Sequence, residues 1–446
     1  MKRPMALFER AMYLEGDLHV SVMVTARIWG RLTEETLKHA LARVQAKHGI
    51  LRCLIVQEKG RPYLVVQDQP PPIPLRIVER QSDEDWFDVS TQDSLQRFDG
   101  SKQPLARLVW LRSDLENELL LVCSHAICDG LSLLLLLKEL LLLCDQPDAD
   151  IGAPTSLNAI EEVFPAEVLT DKRLQRQISW KVAIFKFTLW FVRSGKSWKY
   201  GQIYRNIWRL DEPTSQLFIA RCKKEGVNVF AALSLAFIQA FQKVCGPKKI
   251  EKFEAPVDFR RYLPNMRPDS LFAVAPTIKL SLQDLRDVDP NTSDFWTLAR
   301  ALKTDMTNKI DRLESSVYTL FLGMERLHSV YDRMFARAQA KRAGFQVSLS
   351  YVGKLGLDRS YNNFRLQDIC DISGMMSPTP ANLVAIYSYA GQFRFSLSSD
   401  ESSLPYAQAL QIKQQVLETM ALNAGKPETL AAVPVEVPSM VHGEVS

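Results

Sequence analysis

The stretch CSHAICDGLS, residues 123–132, sets a histidine four positions before an Asp-Gly pair, at the seam between an apolar run and a leucine-rich one. Upstream, ELLLVCS (118–124) reads as a strand. Downstream, residues 131–144 read as a helix, with Asp129 as a good N-cap and Gly130 relaxing the turn. His125 therefore falls in a strand-to-helix loop, where rigid elements commonly present functional side chains. Two readings compete at this histidine. A loop residue before a capped helix needs no function. A neutral imidazole, with an ordinary pKa of about 6.5, can take a proton from an alcohol or an amine. On the second reading Asp129 orders the loop without being the base, and the backbone at Gly130 lets a reacting group come close. Cys128 carries no activating pattern and reads as packing rather than as a nucleophile.

Working outward, the block LSLLLLLKELLLLC (131–144) is interrupted by Lys138-Glu139. It is too short to span a bilayer, so it is expected as a helix buried on a sheet. Ahead of it, Val20, Val22, Val24, Ala26 and Ile28 alternate at period two and predict a half-buried strand. A helix follows with Thr33 as N-cap, Glu34 and Glu35 in its first turn and Gly49 as its stop. Strand-like runs LRCLIVQ, PYLVVQ, IPLRIVE and LARLVWL, with a helical stretch near 83–96, complete a mixed α/β half. Residues 146–170 read as a connection. The second half restates the first: a helix pair over EPTSQLFIARCKKEG and NVFAALSLAFIQAFQKVCG, strands in KIEKFEAPVDF and LFAVAPTIKLSL, and helices over roughly 293–340. Then come FQVSLSYVG, a hairpin turning at Ala390-Gly391, and a last helix over about 404–423. The expected division is 1–150, 151–200 as linker and basic helix, 201–424, and a disordered tail over 425–446.

With 446 residues, 46% of them hydrophobic, the chain can bury two cores. A net charge of +4 excludes a nucleic-acid binder working through a broad basic face. Seven scattered cysteines without CxxC spacing indicate neither a disulfide framework nor a zinc site. The N-terminal stretch is broken by Glu9 and Arg10 and lacks the apolar core of a secretory signal, so the expected location is the cytoplasm. The positive charge is concentrated in KRLQRQISWKVAIFKFTLWFVRSGKSWK, residues 172–199, which holds eight basic residues and no acid. Ile178, Val182, Phe185, Leu189 and Val192 form one helical stripe, and Ile184, Phe187 and Phe191 widen it. Both a connector helix docked on the protein and a peripheral contact with an anionic membrane, an acidic carrier protein or a lipid-like substrate are compatible with this pattern.

Three separated segments resemble one family, the condensation-type acyltransferases. This superfamily includes condensation domains of non-ribosomal peptide synthetases, free-standing dimycocerosyl transferases and alcohol acetyltransferases. SHAICDG is similar to HHxxxDG, with Ser124 in place of the first histidine, as in many free-standing ester-forming members. KHGILRC (47–53) resembles an upstream RHExLRT, keeping His48, Leu51 and Arg52. PVDFRRYLP (256–264) resembles the VDxR segment of the free-standing transferases. SLSYVGKLG (348–356) is a weaker match to a Ser-Asn-x-Gly strand end, with Tyr351 where Asn is usual. The DFGWG motif of the plant branch is absent.

The resemblance implies an α/β fold of two chloramphenicol-acetyltransferase-like subdomains with the reaction in a tunnel between them. It implies an enzyme that moves an acyl group from a thioester, on coenzyme A or an acyl carrier protein, to an alcohol or amine, in natural-product or lipid biosynthesis. His125 would be the general base, supported by Asp129, Gly130 and Arg52, with Arg52 and Asp129 as a loop-ordering ion pair. Ser124, Asp258, Arg260 and Ser350 are tunnel candidates, Arg260 either pairing with Asp258 or facing the tunnel. No covalent acyl-enzyme, metal or cofactor is implied, nor a nucleic acid, and a monomer is expected. An ester product is favoured. The alternatives are an amide-forming condensation enzyme and a non-catalytic carrier-protein docking module.

Overall fold

The computed structural model describes residues 1–13, 20–157, 159–191, 201–247, 250–273, 275–340, 345–375 and 382–425. The expected disordered tail therefore lies, beyond Gly425, outside the described residues, as do Val192 and Arg193 to Lys199 of the basic segment. The first half runs β1 (Lys2–Pro4), α1 (Leu7–Tyr13), β2 (Ser21–Gly30), α2 (Glu34–Lys47), β3 (Cys53–Glu58), β4 (Arg61–Val66), β5 (Leu75–Glu79), α3 (Asp85–Leu95), β6 (Ala106–Arg112), β7 (Glu116–Ser124) and α4 (Gly130–Asp145). After α5 (Ala166–Thr170) and α6 (Lys172–Trp190), the second half runs β8 (Ile203–Arg209), α7 (Glu212–Lys224), α8 (Val229–Cys245), β9 (Ile250–Pro256), β10 (Thr277–Leu280), α9 (Phe295–Glu325), α10 (Tyr331–Ala340), β11 (Phe345–Lys354), β12 (Phe364–Met375), β13 (Asn382–Tyr389), β14 (Gln392–Asp400) and α11 (Tyr406–Ala424).

Each half is built on its own sheet and core. In the first, the strand order is β12-β2-β7-β6-β5, with a small sheet β1-β4-β3 beside it. Helices α3 and α4 both pack on β2 and β7. In the second, the order is β10-β9-β11-β13-β14-β8, and α7, α8, α9 and α11 bury Phe237, Phe241, Leu302 and Val416 against Phe393, Phe395 and Leu397. Two α/β subdomains in one chain are thus the architecture, as the resemblance implies. Helix α4 is buried through Leu133, Leu136, Leu137, Leu140 and Leu141, each contributing about 1.5–3 kcal/mol of apolar burial.

Several expectations change in the structure. Strand β2 is buried on both faces rather than one, Met23 and Thr25 as completely as Val24 and Ala26, because helices and the second subdomain cover the sheet. Gly49 does not simply stop α2. The helix is closed by His48, whose N–H donates to the Val44 carbonyl, and a Cβ at Gly49 would lie 2.7 Å from the Thr155 carbonyl oxygen. The division at 150 and 200 is crossed by one strand. β12 comes from the second half of the chain and pairs antiparallel with β2 from Phe364↔Gly30 to Met375↔Ser21, forming the edge of the first sheet.

The hairpin at Ala390-Gly391 forms as expected, with φ of 49° and 80° at its two central residues. Positive φ at both positions is the signature of a type I′ turn. Gly391 fits because a Cβ there would meet Glu212 at 2.7 Å, whereas Ala390 carries its methyl in a left-handed conformation that costs about 1 kcal/mol. Ala390→Asn, which tolerates this conformation, is expected to raise stability by about 0.5–1 kcal/mol. A urea midpoint equal to or below that of the parent would contradict this.

Candidate active site

The site begins where β7 ends. Ser124 pairs with Ser21 of β2, and its Oγ accepts from the Ala126 N–H at 3.3 Å. Only 3% exposed, it shapes the turn. The His125 N–H donates to the Val20 carbonyl at 2.8 Å, which fixes the residue's backbone to the residue that leads into β2. The imidazole is half-buried, and its Nδ1 is buried without a hydrogen-bond partner. Nε2 is thus the nitrogen left to meet a reactant. Burial lowers the His125 pKa below its ordinary value, against the smaller opposing effects of backbone polar groups and the Asp129 charge. Burial thus disfavours the charged form of the ring. Burial, with the neighbouring Cys123, pushes the Cys128 thiol well up, away from the thiolate a nucleophile requires.

Asp129 caps α4 as expected, its Oδ1 accepting from the Ser132 N–H at 2.8 Å. Its ion pair differs from the expected one. Arg52 donates to the Gln67 carbonyl at 3.0 Å and makes no pair with Asp129 among the described residues. The partner is Arg260 of the second half, which grips both Asp129 oxygens at 2.7 and 2.8 Å and donates to Ser132 Oγ at 2.8 Å. Such a bidentate fork is geometrically specific and charge-assisted. Asp258 supports it, its Oδ1 accepting from the Arg260 N–H at 3.1 Å and from Nη1 at 3.3 Å. The two options expected for Arg260, pairing with Asp258 and facing a tunnel, are thus joined by a third that dominates.

Backbone bonds complete the seam between subdomains. The Asp129 N–H donates to the Phe272 carbonyl at 2.9 Å, and Ser132 Oγ both donates to that carbonyl and accepts from the Phe272 N–H. Across from the loop, a Cβ built on Gly130 would lie 3.8 Å from Val352, ordinary contact, so tight packing does not require this glycine. Val352 sits in a β-bulge of β11, where pairing with β13 shifts between Tyr351 and Gly353. Bulges of this kind re-aim side chains beside functional sites. Ser350 is half-buried on the sheet face it shares with Ala385, opposite the core-facing Val347 and Leu349. Phe272 and Val352 carry no chemical side-chain signal and escape a motif reading.

The Lys47-His48 pair of the upstream segment has a structural task. Lys47 and His48 meet Glu139 of α4, His48 Nε2 at 2.7 Å, and Lys47 also lies 3.2 Å from Asp269. The charge that interrupts the leucine block is thereby paired in the interior. A cavity borders the loop, lined by Ile50, Ala126, Ile127, Leu157, Met266 and Phe272 among others; His125 is not in its lining.

Residues 10–164 match the condensation domain family. This span contains both the His125 loop and the KHGILRC segment. No curated protein matches the chain. Among solved structures, polyketide synthase associated protein 5 from Mycobacterium tuberculosis superposes with a TM-score of 0.64 at 16% identity, covering 94% of this chain and 98% of that one. Trichothecene 15-O-acetyltransferase from Fusarium sporotrichioides gives 0.65 at 14% identity, covering 95% of each. The EpoB cyclization-docking bidomain from Sorangium cellulosum gives 0.64 at 12% identity, covering 96% of this chain and 85% of that one. At these identities the likeness is one of fold, and it spans almost the whole chain.

Proposed function

We propose, from the match of residues 10–164 to the condensation domain family and the shared fold, that the chain moves an acyl group from a thioester to a hydroxyl acceptor, with His125 as general base. The observation that carries the reading is a half-buried imidazole at the seam of the two subdomains, in a loop fixed from both sides, with burial disfavouring its charged form. In the reaction, Nε2 takes the acceptor O–H proton as the oxygen attacks the thioester carbonyl. The C–O bond forms, the C–S bond breaks, and the departing thiolate recovers the proton from the imidazolium. General-base assistance of this kind contributes about 10²–10⁴ in rate, and holding both reactants along the seam supplies a further large factor.

Asp129 is a positioning residue on this reading. Its oxygens are engaged by Arg260 and the Ser132 N–H, which leaves it to hold the loop rather than to carry a proton. The donor is carried on coenzyme A or on an acyl carrier protein, and Ser124 in place of the first motif histidine favours an ester product. The Arg260–Asp129 clamp, Asp258 and Ser350 border the reactants' path.

The test is thioester consumption by the purified chain across a panel of acyl lengths and trial alcohols and amines. Turnover with alcohols supports the reading; carrier-protein binding without turnover on any acceptor would assign a docking module instead. The pH dependence adds a sign. Because burial lowers the His125 pKa, the base is charged and inactive only at low pH. The rate should rise through a midpoint below about 6.5 and then level off. A midpoint clearly above the ordinary histidine value would point to another base.

A further inference from the structure

The described part of the basic segment forms α6, and its two sides are unlike. Ile178 and Leu189 are buried. Ile178, Lys181, Val182 and Phe185 line a groove of about 560 Å³ against α9, bordered also by Leu320, Met324 and Leu327. At 3.6 residues per turn, Trp180, Ala183, Ile184, Phe187 and Trp190 fall on the opposite side. That side is where a water-facing helix carries charge. Here Trp180 is 68% exposed, Phe187 60% and Trp190 69%, with Phe191, 69% exposed, continuing the surface at the C-cap. Phe191 meets Phe187 edge-on and Trp190 at a tilt, with centroids 4.9 and 5.9 Å apart.

Charge is arranged around this face in a definite way. Lys172, Arg173 and Arg176 occupy the outward side of the first two turns, in line with the aromatic side, whereas Lys181 lines the groove and the half-buried Lys186 borders the docked side. None of the five makes an ion pair among the described residues; Lys186 donates to Ser329 Oγ at 3.0 Å. No acid occurs from Lys172 to Phe191. Exposed Trp and Phe flanked by unpaired cations are the complement of an anionic bilayer surface, where rings enter the acyl boundary and cations meet headgroup phosphates. A second copy of the face would set like charges against each other. No single helix among the described residues is long and apolar enough to cross a membrane, so α6, about 28 Å long, would lie in the interface.

We propose that the outer face of α6 docks this protein on anionic lipid membranes, the aromatic side chains entering the interface and the cations holding headgroups. This stands apart from the acyl-transfer reading, since it needs no reactive group. The test is co-sedimentation of the full chain with vesicles of phosphatidylcholine alone and of phosphatidylcholine with phosphatidylglycerol. Binding should favour the anionic vesicles by at least about tenfold and weaken as salt rises. Trp180→Glu/Phe187→Glu/Trp190→Glu should lose about tenfold or more at low salt with an unchanged thermal transition, because the face supports no core. Lys172→Gln/Arg173→Gln/Arg176→Gln should lose most of the preference for anionic lipid. Parental binding by the triple-glutamate variant, or no vesicle binding by the parent, overturns the proposal. So does parental dimerisation in sedimentation velocity that the glutamates abolish, which would assign the face to a second copy.

Discussion

His125→Ala is expected to lower acyl transfer by about 10²–10⁴ while leaving the chain folded. The size follows from what the ring does on the proposed pathway. Without a base, the acceptor attacks as a neutral alcohol, and only the positioning of the two reactants remains. The fold survives because the backbone of His125, not its ring, carries the loop. Its N–H bonds Val20, and the neighbouring Asp129 clamp is untouched. Circular dichroism and thermal unfolding establish the fold, and initial rates with a saturating thioester establish the loss. Asp129→Asn is the companion variant. It keeps an oxygen to cap α4 but weakens the fork to Arg260, so the rate falls with the pH midpoint still set by the imidazole. A folded His125→Ala protein that transfers acyl groups at the parental rate would make CSHAICDGLS a capped loop and nothing more.

Asp371→Ala is expected to cost about 3–5 kcal/mol of stability. Asp371, on β12, and Arg205, on β8, are both fully buried and paired at 2.7 Å. Arg205 also donates to Ser90 Oγ, Thr91 Oγ1 and the Phe87 carbonyl of α3, so its guanidinium joins the second sheet to the first subdomain. Removing the carboxylate leaves a cation in the interior with only neutral partners. Desolvation, not the lost attraction alone, sets the penalty. Replacing both charges, as Arg205→Met/Asp371→Leu, should recover much of it, since the remaining groups are apolar or can pair locally. Urea unfolding of the single and double variants measures both values. A loss under about 1 kcal/mol for Asp371→Ala would show that water reaches the pair.

The same aspartate shows why part of the fold was hidden in the sequence. Caps, turns and long apolar helices act locally, and Thr33, Asp129, α4 and the Ala390-Gly391 turn could be read residue by residue. β12 could not. Its period-two pattern is broken twice by register shifts, between Leu366 and Asp368 and between Ile369 and Asp371. Its acids resemble a solvated surface until their partners, Arg394 and Arg205, are placed against them. β8, which supplies Arg205, was missed as well, although its pairing with β14 is unbroken.

The candidate site divides along the same line. His125, Asp129 and Arg260 could be named from motifs, but the assignment of Arg52 to Asp129 failed. Arg52 lies in the same half and in a neighbouring motif, whereas the true partner is 131 residues from Asp129. Side-chain type and local spacing carry no information about a contact made by the packing of two subdomains. The stripe on α6 had both outcomes. Ile178 and Leu189 dock as a connector helix requires, while Phe187 and Phe191, read as widening the same surface, face away from the protein.

The route of β12 bears on how the chain is made. Synthesis proceeds from the N-terminus, so β2 and β7 emerge with α4 long before their outer neighbour exists. At about 5–20 residues per second, the roughly 250 residues between the end of β7 and the end of β12 take on the order of 10–50 s. Throughout that interval one edge of β2, apolar along Val22, Val24 and Ala26, has no strand beside it. An open apolar edge of this kind recruits other chains. The nascent first subdomain therefore needs shielding until β12 arrives, and a gene split at the linker yields a first fragment that is one strand short and a second that holds the missing strand.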